Sequence, residues 1–174
     1  MKKLLYILLL FPFLIEAQTE PNKILDEIYI GMTITEVKLK LTDYNFVDRP
    51  IYEYGMDSEE KGVLVKIDND DILFLFKKYG TDSICDIMIL SSEILVDGKI
   101  KVGDTAEKFL NLYENVKFEL DVVQEEFEYA YFPNSNFQIE FITTDENRVC
   151  KYDNYKSIEL IDIKRKIDRI LVRK

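Results

Sequence analysis

The sequence predicts an α+β fold of two tandem repeats, each a short N-terminal helical segment followed by an antiparallel β-meander, packed as one body. Three observations predict it. The phrase "IYIGMTITEVKLKL" at residues 28–41 is nearly rewritten as "IKVGDTAEKFLNLY" at residues 100–113, an offset of 72 residues. Apolar runs of strand length, rich in β-branched and aromatic residues and bounded by turn residues, follow each phrase. A unit of about 70 residues has a core contributing only a few kcal/mol, so two such units are expected to share one body.

Residues 1–17 stand apart from that body. Lys2 and Lys3 precede a 12-residue apolar run, Leu4–Ile15, and Glu16-Ala17-Gln18 offers a small residue before a polar start. That is the layout of a secretory signal peptide. The run is shorter than the about 20 residues that span a bilayer. The expected product is exported, periplasmic or extracellular, with repeat 1 over 18–96, repeat 2 over 97–174, and an insertion in the second near 144–166.

In the first repeat, Gly31 supplies a tight turn or positive backbone angle. Thr33 and Glu36 then form a reciprocal capping box, and Ile34, Val37 and Leu41 share one helix face. "GVLVKI" at 62–67, "DILFLF" at 71–76 and "SICDIMIL" at 83–90 read as strands, with "NDD" at 69–71 as a hairpin turn. In the second, Gly103 corresponds to Gly31 and Asp104 with Glu107 makes the box. Ala106, Phe109, Leu110 and Tyr113 form the buried stripe. "FEYAYF" at 127–132, "FQIEFIT" at 137–143 and "IDRILV" at 167–172 are its strands, with a turn at Pro133, Asn134 and Ser135. Phe127, Tyr129 and Tyr131 alternate with Glu128 and Ala130, which predicts the aromatic side facing the core. The C-terminal "KRKIDRILVRK" reads as a final strand whose basic side chains discourage edge-to-edge pairing, or else as a segment drawn to an anionic envelope surface.

The stretch "GMTITEV" at 31–37, followed by a meander of antiparallel strands, resembles the secreted β-lactamase-inhibitor proteins and the related small lipoproteins of the outer-membrane β-barrel assembly machinery. The tandem layout resembles the inhibitor more than the single-unit lipoprotein. The resemblance implies an exported protein that binds another protein. This chain departs from it by lacking the inhibitor's disulfide in each repeat and the lipoprotein's modified cysteine, so no particular target carries over.

Without residues 1–17 the chain holds 21 basic and 32 acidic residues, and residues 18–163 alone carry 15 against 31. A field of that sign repels nucleic-acid phosphates and favours a basic protein partner. Histidine is absent, which removes the commonest general base and the usual partner of a Ser or Cys nucleophile. Carboxylate-dependent hydrolysis is the one catalytic class left. Asp68, Asp70 and Asp71 lack the Gly and bidentate Glu of a calcium loop and read as a turn. Glu125, Glu126 and Glu128 read as a solvated strand face. No metal or cofactor is expected. Cys85 and Cys150 can form one disulfide in an oxidising compartment, or stay free as small hydrophobes beside their apolar runs.

Eleven tyrosines carry the strongest binding signal, since tyrosine gives large contact area at little entropic cost. Tyr52 and Tyr54, with Tyr152 and Tyr155, fall in the irregular segment of each repeat and form the candidate binding patch. The expected function is a non-enzymatic protein-binding module of the cell envelope, an inhibitor, immunity or assembly factor. A structural envelope protein without a discrete target is the alternative.

Overall fold

The computed structural model describes residues 23–173, so the expected signal segment lies outside the described residues. Three short helices, α1 (Ile24–Glu27), α2 (Ile34–Lys40) and α3 (Ala106–Leu112), accompany ten strands. These are β1 (Asn45–Pro50), β2 (Lys61–Ile67), β3 (Asp70–Lys77), β4 (Ile84–Ile89), β5 (Lys117–Leu120), β6 (Phe127–Tyr131), β7 (Phe137–Ile142), β8 (Cys150–Asp153), β9 (Lys156–Leu160) and β10 (Arg169–Val172). All ten join one sheet in the order β1-β2-β3-β4-β10-β7-β6-β5-β9-β8, antiparallel at every paired boundary.

The helix caps form as their residues dictate, with one change. Thr33 Oγ1 accepts from Glu36 N–H while the Glu36 carboxylate accepts from Thr33 N–H. In α3 the cap is Thr105, which accepts from Lys108 N–H, and not Asp104. The Asp104 carboxylate is taken by Lys101 N–H and the Lys108 ammonium, and Glu107 reaches Lys164. Gly31 and Gly103 both have positive φ, at 106° and 86°, which a residue with a Cβ adopts only at a cost.

One face of the sheet carries the helices and the main core. Val37 and Phe109 are fully buried there against Val65, Leu73, Leu75, Ile139, Phe141 and Ile170. A smaller cluster, Leu64, Phe74, Phe76, Met88 and Leu171, lies on the other face. The chain itself covers it: a 3-10 turn, Ile51–Tyr54, folds back so that the Tyr54 ring stacks on Phe74 at 3.7 Å between centroids. Gly62 makes room for this. A Cβ there would lie 2.4 Å from the Phe74 ring and 2.7 Å from the Leu75 carbonyl oxygen. Gly62→Ala is therefore expected to destabilise by about 1–3 kcal/mol through overpacking, read as a lower urea midpoint at unchanged slope.

Three sequence expectations change, and of the two alternatives for the cysteines the structure has the free thiols. β10 is no edge strand: it pairs with β4 through Ile170–Ile89 and with β7 through Arg169–Glu140, at the centre of the sheet. The turn between β2 and β3 is Asp68–Asn69, with Asp68 at φ 50°, because Asp70 and Asp71 already belong to β3 and Asp71 pairs with Lys66 at 2.7 Å. On β6 the faces are reversed. Glu128 and Ala130 are fully buried on the helix side, and Phe127, Tyr129 and Tyr131 are half-buried on the other. Cys85 and Cys150 are free thiols. They sit on β4 and β8, six strand positions apart, about 29 Å along a sheet and far beyond the roughly 7 Å between Cα atoms that a disulfide tolerates.

The segment near 144–166 contains the β8–β9 hairpin, which leaves the β7–β10 boundary and attaches outside β5 through Glu119–Lys156 and Leu120 N–H to the Tyr155 carbonyl. No described helix is long and apolar enough to cross a membrane.

Candidate functional site

The helix-free face of β5, β6, β7 and β10 is built by strand register. Glu119 stands opposite Tyr129, Tyr129 opposite Glu140, and Glu140 opposite Arg169. Side chains alternate along a strand, so these four form one row across four strands. Lys117–Tyr131 and Gln138–Leu171 form the neighbouring row on one side of it. The row is polar where its counterpart on β2, β3 and β4, Leu64–Phe74–Met88, is apolar.

Within the row the tyrosines are fixed by one carboxylate. Tyr131 donates to Glu119 Oε1 at 2.7 Å, Tyr129 to Oε2 at 3.3 Å, and their rings stack with centroids 6.4 Å apart. The hydrogen bond to Glu119 pushes the Tyr131 phenol up to about 12, and burial followed by the Glu119 charge raises that of Tyr129. Both are neutral near pH 7 and present flat rings with free oxygen lone pairs. Glu140 is buried beside Arg169, whose Nε lies 3.1 Å from Glu140 Oε2, and Gln138 Nε2 donates to the other oxygen at 2.9 Å. Burial raises the Glu140 carboxyl and lowers the Arg169 guanidinium, each opposed by the other's charge.

A loop closes one end of the face. Asp121 Oδ1 accepts from Val123 and Gln124 N–H, which holds Gln124 and Phe127 beside Gly55. Gly55 is at φ 86°, and a Cβ there would sit 3.2 Å from Arg169 Nη2 and 3.3 Å from the Phe127 ring. Both the conformation and the contact call for glycine. Two recesses result, one of about 260 Å³ beside Arg169 and one of about 430 Å³ beside Tyr131, with Tyr129, Gln138 and Arg173 common to both.

The four tyrosines expected from sequence are not brought together. Tyr54 stacks on the helix-free side, and Tyr52 is 56% exposed on the same 3-10 turn. Tyr152 lies on the opposite side of the sheet and donates to the buried Glu128 Oε1 at 2.6 Å. Tyr155 is exposed in the β8–β9 turn at φ 65°. Tyr129, Tyr131, Glu119 and Arg169 were missed as a group. Alternation along β6 marks the two tyrosines as core, and only the pairing partners show which side is covered.

Glu128 is not on a solvated face. Fully buried, it accepts from Val149 N–H at 2.9 Å, Cys150 N–H at 3.0 Å and the Tyr152 hydroxyl. Burial, then the Glu128 charge, pushes the Cys150 thiol up to about 12, and burial with the Glu128 hydrogen bond raises the Tyr152 phenol. Unfolded Cys and Tyr ionise near about 8.5 and 10. Raised folded values favour the protonated native form, so this contribution is complete below pH about 8.5 and is lost as pH climbs toward 12. The urea midpoint is expected to fall between pH 8 and pH 11. The double variant Cys150→Ala, Tyr152→Phe should fall less, and an identical decline would exclude these two groups as the cause.

Burial also pushes the Cys85 thiol up to about 11, leaving it protonated near neutrality and a poor nucleophile. Among the described residues no cluster of three or more His, Cys, Asp or Glu could hold a metal.

No protein-family model matches the chain, and no curated protein matches it in sequence. The chain is similar in fold to the crystal structure of the uncharacterized protein yfeY from Escherichia coli. The TM-score is 0.51 and the identity 14%, over 83% of this chain and 90% of that one.

Proposed function

We propose that the chain is an exported, non-enzymatic protein-binding module of the cell envelope that holds its partner on the helix-free face of β5, β6, β7 and β10. One observation carries this reading. The apolar outer face of β2–β4 is sealed by the chain's own 3-10 turn, while the Glu119–Tyr129–Glu140–Arg169 row is left accessible through two recesses. Ordered tyrosine rings beside charged groups are what protein-binding hot spots use. The acidic body favours a basic partner, which would approach faster at low salt.

The architecture that supports this is a duplication. Gly31 N–H binds the Ile84 carbonyl, and Gly103 N–H binds that of Ile167, both at 2.9 Å. Ile34 N–H binds the Asp82 carbonyl, and Ala106 N–H that of Arg165, again both at 2.9 Å. Each helix start is thus tied to the foot of its last strand, β4 or β10. The resemblance to the inhibitor proteins belongs to the same proposal, as does export, which rests on residues 1–17.

The test is capture by tagged residues 18–174 from its own envelope extract, with crosslinking, at low and high salt. A specific protein is expected, released by high salt and lost with Tyr129→Ala plus Tyr131→Ala, hot-spot changes of about 2 kcal/mol or more each. It should be retained with Tyr155→Ala. Recovery of no protein would leave the structural role as the better account.

A further inference from the structure

The recess of about 260 Å³ lies against the 54–56 segment, with Tyr54, Met56, Phe127 and Arg169 among its lining residues. Arg169 is the unusual group. Its side chain is only 5% exposed, and although Nε lies 3.1 Å from Glu140 Oε2, its N–H is not aligned on that oxygen and has no hydrogen-bond partner. The guanidinium lies 4.5 Å from the Phe127 ring centroid, and Nη2 packs against Gly55. Nε therefore meets Glu140 as an ion pair off the hydrogen-bond line. Nη2 lies beside Gly55, which also lines the recess, so a ligand that supplies an oxygen acceptor there gains a hydrogen bond from a charged donor.

Charge selects among acceptors. Asp86, Asp121 and Glu140 line the recess, against Arg169 and Arg173. A ligand carboxylate would add a fourth negative charge beside a buried one, whereas an uncharged oxygen satisfies the N–H groups without altering the balance. The size is also restrictive. The recess is smaller than the roughly 300–1,000 Å³ of drug-sized ligand pockets, and it suits a single side chain.

We propose that this recess is the anchor pocket for one uncharged, oxygen-bearing side chain of the bound protein, of the tyrosine or glutamine kind. Its oxygen accepts from the Arg169 guanidinium, and its stem lies between Tyr54 and Phe127. The occupant rests on the protein-binding reading above, but the chemistry of the pocket is testable with no partner present.

Residues 18–174, with labelled methionine methyls, are titrated with N-acetyl-L-tyrosinamide, N-acetyl-L-glutamine methylamide and N-acetyl-L-glutamate. The expected result is a saturable shift of the Met56 and Met88 methyls with at least one neutral probe, about tenfold tighter or more than with glutamate. Met56→Trp, which fills the mouth from a part-exposed position, should abolish the Met88 shift while leaving the thermal midpoint unchanged. Arg169→Lys, which keeps the charge facing Glu140 but removes the planar N–H fork, should weaken the neutral probe more than the acidic one. No saturation with either neutral probe, or equal or tighter binding of glutamate, overturns the proposal. Probe binding without capture of any protein would leave the pocket's chemistry standing and remove the protein-binding reading. Capture that Met56→Trp leaves intact, with no probe binding, would do the reverse.

Discussion

Arg169→Met is expected to lower stability by about 3–5 kcal/mol, whereas the double variant Arg169→Met, Glu140→Leu should recover most of that loss. Both side chains are at least nine-tenths buried, and they face each other across the β7–β10 pair at the centre of the sheet. Removing the cation alone strands a carboxylate that is nine-tenths buried, and the Gln138 amide is the one hydrogen bond left to it. Removing both takes away an attraction together with two desolvation penalties that nearly cancel it. Urea denaturation of the parent, both single variants and the double variant closes the cycle. A double variant no more stable than the worse single would show that the pair is held by packing around Phe127 and Gly55 and not by charge. On the pocket proposed above, the double variant should also bind the neutral probes more weakly even where it remains folded, because the Arg169 donor is gone.

The second large effect lies on the other side of the sheet. Glu128→Ala is expected to cost about 3–5 kcal/mol, because Val149 N–H, Cys150 N–H and the Tyr152 hydroxyl are left buried without their acceptor. These three groups attach β8 to the body, and the hairpin's tie to β5 is short, the Glu119–Lys156 pair and the Leu120 N–H bond to the Tyr155 carbonyl. The loss should be local before it is global. Amide exchange over 149–161 should accelerate first, and Cys150, buried in the parent, should react with a thiol reagent under native conditions. Glu128→Gln keeps one acceptor oxygen but turns an N–H₂ toward donors, so an intermediate cost is expected. If exchange in β3 and β4 accelerates as much as in β8, Glu128 is a general core residue and not the hairpin's anchor.

Both effects depend on groups that pattern reading mishandled. Glu128 looked like part of an acidic, solvated run, since Glu125 and Glu126 beside it are exposed. What buries it is three donors supplied from more than twenty residues away. Arg169 looked like a charge guarding a sheet edge, because a basic C-terminal strand often has that role. Its strand is central because β10 joins the two halves, pairing with β4 on one side and β7 on the other. β5 and β8 hold four residues each, β9 is exposed throughout, and β1, though six residues long, has no fully buried position, so these strands give little signal of their own. Such strands form because a neighbour offers hydrogen bonds.

What the sequence determined by itself is local. The Thr33–Glu36 box, the positive φ at Gly31 and Gly103, the faces of α2 and α3, and the bodies of β2, β3, β4, β6, β7 and β10 follow from contacts within a few residues. Those interactions close within one turn or one pleat, so spacing and side-chain chemistry suffice to specify them. The tertiary structure decided strand order, which side of β6 is covered, the separation of Cys85 from Cys150, and the gathering of Glu119, Tyr129, Glu140 and Arg169 into one row. A period of two divides a strand's side chains into two sets but does not say which set meets the core. That choice is made by the free energy of burial against partners distant in the chain: the helices on one side, and the folded-back Tyr54 segment on the other.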